Sequence, residues 1–167
     1  MCITQVFLDK SNELEESMRL TKQTNYAIRI MMYCAANTKD LSQIPEIAKA
    51  YGVSELFLFK ILKVLTRSGL VESVRGRNGG IRLTRKPSEI RLSEVVRVTE
   101  DNFNMAECFT DEGADCPLVD SCELNAALRE ALGAFFVVLD KYSIQDLAIN
   151  RFNIDILLGI DQLDEAV

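Results

Sequence analysis

Gly76, Arg77, Asn78, Gly79 and Gly80 stand between two short β-prone runs, Leu70 to Arg75 and Ile81 to Thr84. Glycine and asparagine at the centre of such a pair specify a hairpin turn, and the apolar residues before it recur at helical spacing. A small hairpin must therefore be appended to a group of helices. From about Thr21 to Ala36 the stripe Tyr26, Ala27, Ile30, Met31, Cys34 and Ala35 predicts an amphipathic helix with Cys34 on its buried side. A second, short helix is expected from Pro45 to about Tyr51, with proline at the first helical position, Ile44 held extended before it and Gly52 as its end. A third should run from Glu55 to about Ser68, N-capped by Ser54 and stopped by Gly69.

Helix, tight turn, helix and hairpin in that order give the expected fold class: mainly α, a winged helix-turn-helix with a two-stranded wing. A further helix should begin near Ser93 and carry Val95, Val96 and Val98. Asp120 and Glu123 resemble a capping box opening a last long helix, with Cys122 in its first turn. Along that helix Leu124, Leu128, Ala131, Phe135, Val138 and Tyr142 alternate steps of four and three. Such a seam wants a partner helix, here a second copy, or else packs on its own domain. The expected organisation is an extension over 1–17, the winged domain over 18–99, a cysteine-rich loop over 100–122, a dimerisation helix over 123–145 and an acidic tail over 146–167.

At 167 residues, 48% hydrophobic and 26% charged, the chain has room for one domain and an oligomerisation arm. The apolar start lacks a basic flank and soon meets Asp9 and Lys10, so neither a signal peptide nor a membrane span is expected. A cytoplasmic protein follows, in which five cysteines argue for metal binding or burial rather than disulfides. The net charge of −6 conceals an asymmetry, because residues 18–97 hold 15 Lys and Arg against 6 Asp and Glu. That segment alone supplies a phosphate-binding field, although the sequence pI is about 4.8.

A helix-turn-helix with an arginine-rich hairpin places its second helix in the major groove of duplex DNA and its wing on the flanking backbone or minor groove. On the third helix Leu58, Ile61, Leu62 and Leu65 form the core stripe, leaving Glu55, Leu56, Phe59, Lys60, Lys63 and Arg67 outward. The candidate DNA contacts are Ser54, Phe59, Lys60 and Lys63 with Arg75, Arg77, Asn78, Gly79 and Arg82 of the wing, Arg77 being first choice for minor-groove insertion. Phe59 either meets thymine methyl groups or belongs to the core of a slightly rotated helix. The arginines either read DNA or solvate the hairpin.

Cys108, Cys116 and Cys122 crowd one acidic stretch of a chain that has no histidine. Thiolates are soft ligands for zinc or iron–sulfur clusters, and intervals of seven and five residues are not the paired short spacings of a zinc ribbon. Cys122, at a helix start, would have its thiolate favoured by the helix dipole.

Taken together, Met18 to Thr21, Asn25 to Ala27, Ile47 and Ala48, Val53 and Ser54, Gly69 to Val71, and Val74 to Leu83 resemble the Rrf family of winged-helix repressors over about Met18 to Ser143. The cysteine intervals and the wing most resemble its rhizobial iron-regulator branch. This resemblance implies a homodimer on a double-stranded operator, holding an iron–sulfur cluster of the 4Fe–4S type, open to conversion to 2Fe–2S, through Cys108, Cys116 and Cys122. The loaded form would repress iron-uptake genes. Two departures are present: the histidine ligand of the biogenesis-regulator branch is absent, and Asn25 aligns with the aspartate ligand of the nitric-oxide-sensing branch. A fourth ligand would then be Glu107, Asp111, Glu112, Asp115 or Asp120, a solvent or small thiol, or none.

Three other readings stay open. One is the same regulator with zinc, a bare thiol switch or nitric-oxide response. A second is an enzyme with Cys116 or Cys122 as nucleophile, which lacks a histidine base and any phosphate loop or cofactor fingerprint. The third is an adaptor that kept the fold and lost DNA. No catalysis, membrane or small-molecule substrate is expected.

Overall fold

In a computed structural model the described residues are 19–37, 41–76, 79–110, 116–118 and 122–148. Helix α1 spans Lys22–Ala36. The Thr21 hydroxyl accepts from the Thr24 N–H at 3.2 Å to cap it, while the Thr21 N–H donates to Glu100 at 2.7 Å. The expected stripe is inward: Ala27, Ile30, Met31, Cys34 and Ala35 are buried, with Tyr26 half-buried at its edge.

Helix α2, Ile44–Tyr51, starts one residue earlier than its proline implies. Gln43, at φ −88° and ψ 133°, takes the extended conformation expected of Ile44. Ile44 is helical because that conformation buries it in the core, and burial outweighs the local preference ahead of proline. Gly52 ends the helix at φ 62°, a left-handed conformation that side chains beyond glycine adopt at a cost. After this tight reversal α3, Glu55–Arg67, packs on the core through Leu58, Ile61, Leu62 and Leu65.

Strands β1, Val71–Val74, and β2, Gly80–Leu83, pair antiparallel with Val71 opposite Leu83 and Val74 opposite Gly80. The wing is fastened to the domain by reciprocal backbone bonds between Ser42 and Ile81, both 2.9 Å. A Cβ at Gly80 would stand 2.9 Å from the Leu41 Cβ, so this approach needs glycine.

Helix α4 is Leu92–Thr99, followed by a 3₁₀ turn at Glu107–Phe109, α5 at Glu123–Leu139 and the short α6 at Ile144–Leu147. The core joins α1 to α4 with both strands, and α6 returns to it. Ile90 accepts from the Ile144 N–H at 2.9 Å, Tyr142 accepts from the Leu92 N–H at 2.9 Å, and Ile144 and Ala148 are buried. The tail expected from residue 146 thus has its first residues in a packed element, and α5 stops at Leu139, six residues short of the expected 145. Tyr142 lies beyond it. Cys122 is the N-cap residue of α5 rather than part of its first turn.

Along α5 the side chain of Phe136 is buried by the rest of the chain. The Arg97 guanidinium lies over its ring at 3.5 Å and Phe103 meets it edge-on at 4.8 Å, while Ser93 donates to Asp140. These contacts clamp α5 to α4. The extension at 1–17 and the tail beyond Ala148 lie outside the described residues, and no described helix is long and apolar enough to cross a membrane.

Candidate nucleic-acid interface and cysteine loop

The backbone turn at Gly52 and the Ser54 cap set the direction of α3. The Ser54 hydroxyl accepts from the Phe57 N–H at 3.3 Å, satisfying a backbone donor that the helix leaves free. Leu58, Ile61, Leu62 and Leu65 are buried, which fixes the rotation of the helix. Outward stand Lys60, Lys63 and Arg67 together with Phe59 at 52% exposure and Leu56 at 70%. Phe59 is therefore a surface aromatic, not a core residue.

Between α3 and the wing runs a groove of about 750 Å³. Phe59 and Val74 give it apolar walls, Lys63, Arg67 and Arg75 give it cations, and Glu55 is its acidic lining residue from α3. Arg82 differs from Arg75: its guanidinium pairs with Glu72 directly across the ladder, both side chains well exposed. An exposed pair of this kind contributes only ~0.2–1 kcal/mol, so phosphate competes for Arg82 readily. Gly79 lies half-buried, its N–H donating to the Gly76 carbonyl at 3.0 Å, and Arg77 and Asn78 fall outside the described residues.

Five cysteines divide by environment. Cys34 is buried in the core, and burial pushes its thiol up to about 12, which suits a packing residue. Cys2 lies outside the described residues. Cys108, on the 3₁₀ turn, Cys116, and Cys122, at the head of α5, are all half-buried. The Asn125 side-chain N–H donates to the Cys108 sulfur at 3.0 Å. Asn125 follows the N-cap Cys122 by three residues, so Cys108 lies against the first turn of α5, at the end that Cys122 caps.

The stretch from Phe103 to Phe109 runs back along that helix. Phe103 packs on Phe136, and Phe109 lies under Arg129 at 4.8 Å. Among the described residues no three cysteines or carboxylates gather into a group that could hold a metal ion. In chemistry the donor set nevertheless fits an iron–sulfur cluster, with three accessible thiols and an N–H aimed at one sulfur, the outer contact that ligating thiolates take. Glu107 and Asn25 are exposed, while Asp111, Glu112, Asp115 and Asp120 lie outside the described residues.

A family model described as Rrf2, iron-dependent transcriptional regulator, matches residues 20–150. The chain belongs to the Rrf2 family. Among its Rrf2-like relatives is Protein aau3 of Rhizobium meliloti strain 1021, 69% identical over 145 residues, covering 87% of this chain and 94% of that protein. The HTH-type transcriptional regulator NsrR of Bacillus licheniformis is 43% identical over 143 residues, covering 85% of this chain and all of that protein. The solved structure of IscR from T. potens superposes with a TM-score of 0.64 at 23% identity, covering 80% of this chain and 88% of that one. It shares the fold of this Rrf2 chain, helices around a two-stranded wing.

Sequence reasoning on this Rrf2 protein passes over Leu56 as a site residue, although it names the position as outward, and misses Asn125 and Arg129. The signal for Leu56 is present: it is a large apolar residue in the first turn of a helix whose core stripe lies elsewhere. Asn125 and Arg129 carry no such signal, because polar residues on an exposed helix are ordinary.

Proposed function

We propose that this Rrf2-family regulator is an iron-responsive transcriptional repressor that binds its operator as a homodimer. Cys108, Cys116 and Cys122 would hold an iron–sulfur cluster, of the 4Fe–4S type, which when bound supplies iron–thiolate bonds joining the three cysteine positions. The fourth ligand is left to a carboxylate of the acidic stretch or to solvent.

The observation that carries this reading is the continuity of α5. Its first end is capped by Cys122 and carries Asn125, which bonds Cys108, and its other end is clamped to α4 by Arg97, Phe136, Ser93 and Asp140. A change at the cysteines therefore acts on a rod seated on the DNA-reading domain. Leu124, Val138 and Phe135 on the seam are exposed, as a face awaiting a second α5 would be. Two α3 helices in a dimer read half-sites whose spacing is set by the helices that join them, so the angle of α5 selects the operator.

In that arrangement Lys60, Lys63, Arg75, Arg77 and Arg82 face phosphates, Ser54, Asn78 and Gly79 place backbone and small polar groups near them, and Phe59 faces the base edges. Anaerobic purification tests the reading: visible absorption with iron and sulfide should accompany the protein, and operator affinity in a shift assay should fall when a chelator removes the iron. A colourless protein with stoichiometric zinc, or equal affinity of the loaded and metal-free forms, would sink it.

A further inference from the structure

Cys108 is held by a closed circuit of side chains. The Arg129 Nε, which can only donate, bonds the Asn125 carbonyl oxygen at 2.7 Å. That bond settles which end of the amide faces which way, so the amide N–H₂ is turned to the Cys108 sulfur at 3.0 Å. The Arg129 guanidinium in turn lies over the ring of Phe109, the residue next to Cys108, with 4.8 Å to the centroid. Asn125 and Arg129 are four apart and so share one face of α5.

We propose that Asn125, oriented by Arg129, is a positioning residue for Cys108 and tunes whatever that sulfur ligates. A directed N–H···S bond withdraws charge from a ligating thiolate, and such bonds raise the reduction potential of a cluster. The circuit also decides where the loop meets α5, because Phe109 and Cys108 are fastened at consecutive positions while Phe103 is fastened farther along at Phe136. The tuning role rests on the cluster reading above; the anchoring role does not.

Two measurements on the full chain separate these. In anaerobically reconstituted protein, spectroelectrochemical titration of Asn125→Ala should give a lower potential than the parent. Arg129→Gln, which loses the charge over Phe109 and the fixed fork toward Asn125, should shift it the same way. Glu130→Ala, on an exposed neighbour, should leave it unchanged. Equal potentials in parent and Asn125→Ala with equal cluster content overturn the tuning role while the cluster reading stands.

In metal-free protein, hydrogen exchange of residues 103–110 should quicken severalfold in Asn125→Ala and Arg129→Gln, with exchange in α1 and α3 unchanged. Unaltered exchange there overturns the anchoring role. Should the parent take up no iron and sulfide, the cluster reading and the tuning role fail together, and the exchange result alone decides whether the circuit holds Cys108.

Discussion

Helices α3 and α5 contain 13 and 17 residues and similar shares of apolar side chains, yet they treat them in opposite ways. Helix α3 buries Leu58, Ile61, Leu62 and Leu65 and leaves Leu56 and Phe59 outside, among lysines. Helix α5 buries Phe136 and leaves Leu124, Phe135, Val137 and Val138 outside. The first pattern is a packed helix with a small apolar tip set in positive charge, suited to base edges flanked by phosphates. The second is a long apolar surface with little charge on it, suited to another helix. Exposure of hydrophobic residues alone does not tell one kind of target from another; their length and electrostatic setting do.

The comparison breaks most severely if α5 has no partner. Ala131→Glu with Val138→Glu places two carboxylates seven residues apart on the seam, at exposed positions where the monomer should lose within ~0.5 kcal/mol. Sedimentation should change from dimer to monomer, and operator affinity should fall by ~100-fold or more because the two half-sites are no longer linked. A double variant that sediments as a dimer assigns the interface to some other surface. On the inward side of the same helix, Phe136→Ala removes the ring that Arg97 and Phe103 contact, at a cost of ~3 kcal/mol in thermal unfolding. Val137→Ala, on the outward side, should cost within ~0.5 kcal/mol. Equal losses at the two positions would mean that α5 is not clamped through Phe136.

The tip of α3 gives a smaller effect. If Leu56 and Phe59 meet thymine methyl groups, replacing thymine by deoxyuridine in a duplex selected for tight binding should weaken the parent by ~4-fold per contacted methyl, the worth of about 0.8 kcal/mol per buried carbon. Leu56→Ala combined with Phe59→Ala should erase that sensitivity. Lys63→Ala should instead weaken all sequences alike and lower the salt slope by about 1. A parent indifferent to the missing methyls would return Phe59 and Leu56 to the status of bare exposed residues.

What could be read from sequence was whatever is decided within a few residues. The Ser54 cap, the Gly52 reversal, the α3 core stripe and the hairpin turn each rest on local chemistry. Placement that depends on distant partners was not legible. Ile44 enters α2 because the core claims it, and α6 joins the domain because Arg91 and Ser143 form a backbone bridge across more than fifty residues. Phe135 and Phe136 look interchangeable in the chain, and Arg97 and Phe103 decide which one turns inward. The cysteines were visible by type, but Asn125 and Arg129 became meaningful only once a sulfur lay beside them.

Between the two helices sits a tie whose effect should be the smallest and whose sign is fixed. Glu94 opens α4, the platform of α5, and bonds Arg85, which follows the wing, at 2.6 Å. Partial burial works to raise its carboxyl, but the Arg91 N–H and the Arg85 guanidinium outweigh that and hold it below its ordinary 4.5. A carboxyl depressed in the folded state contributes stability that is complete above about pH 4.5 and disappears as the pH falls through the lower folded value. Glu94→Gln should therefore melt slightly below the parent at neutral pH, and the gap should close as the solution is acidified past that range. The exposure of both partners keeps the effect small. A gap that stays constant with pH would mean that the Arg91 and Arg85 contacts, and with them this link between the DNA-reading wing and the base of α5, are not made by the charged form.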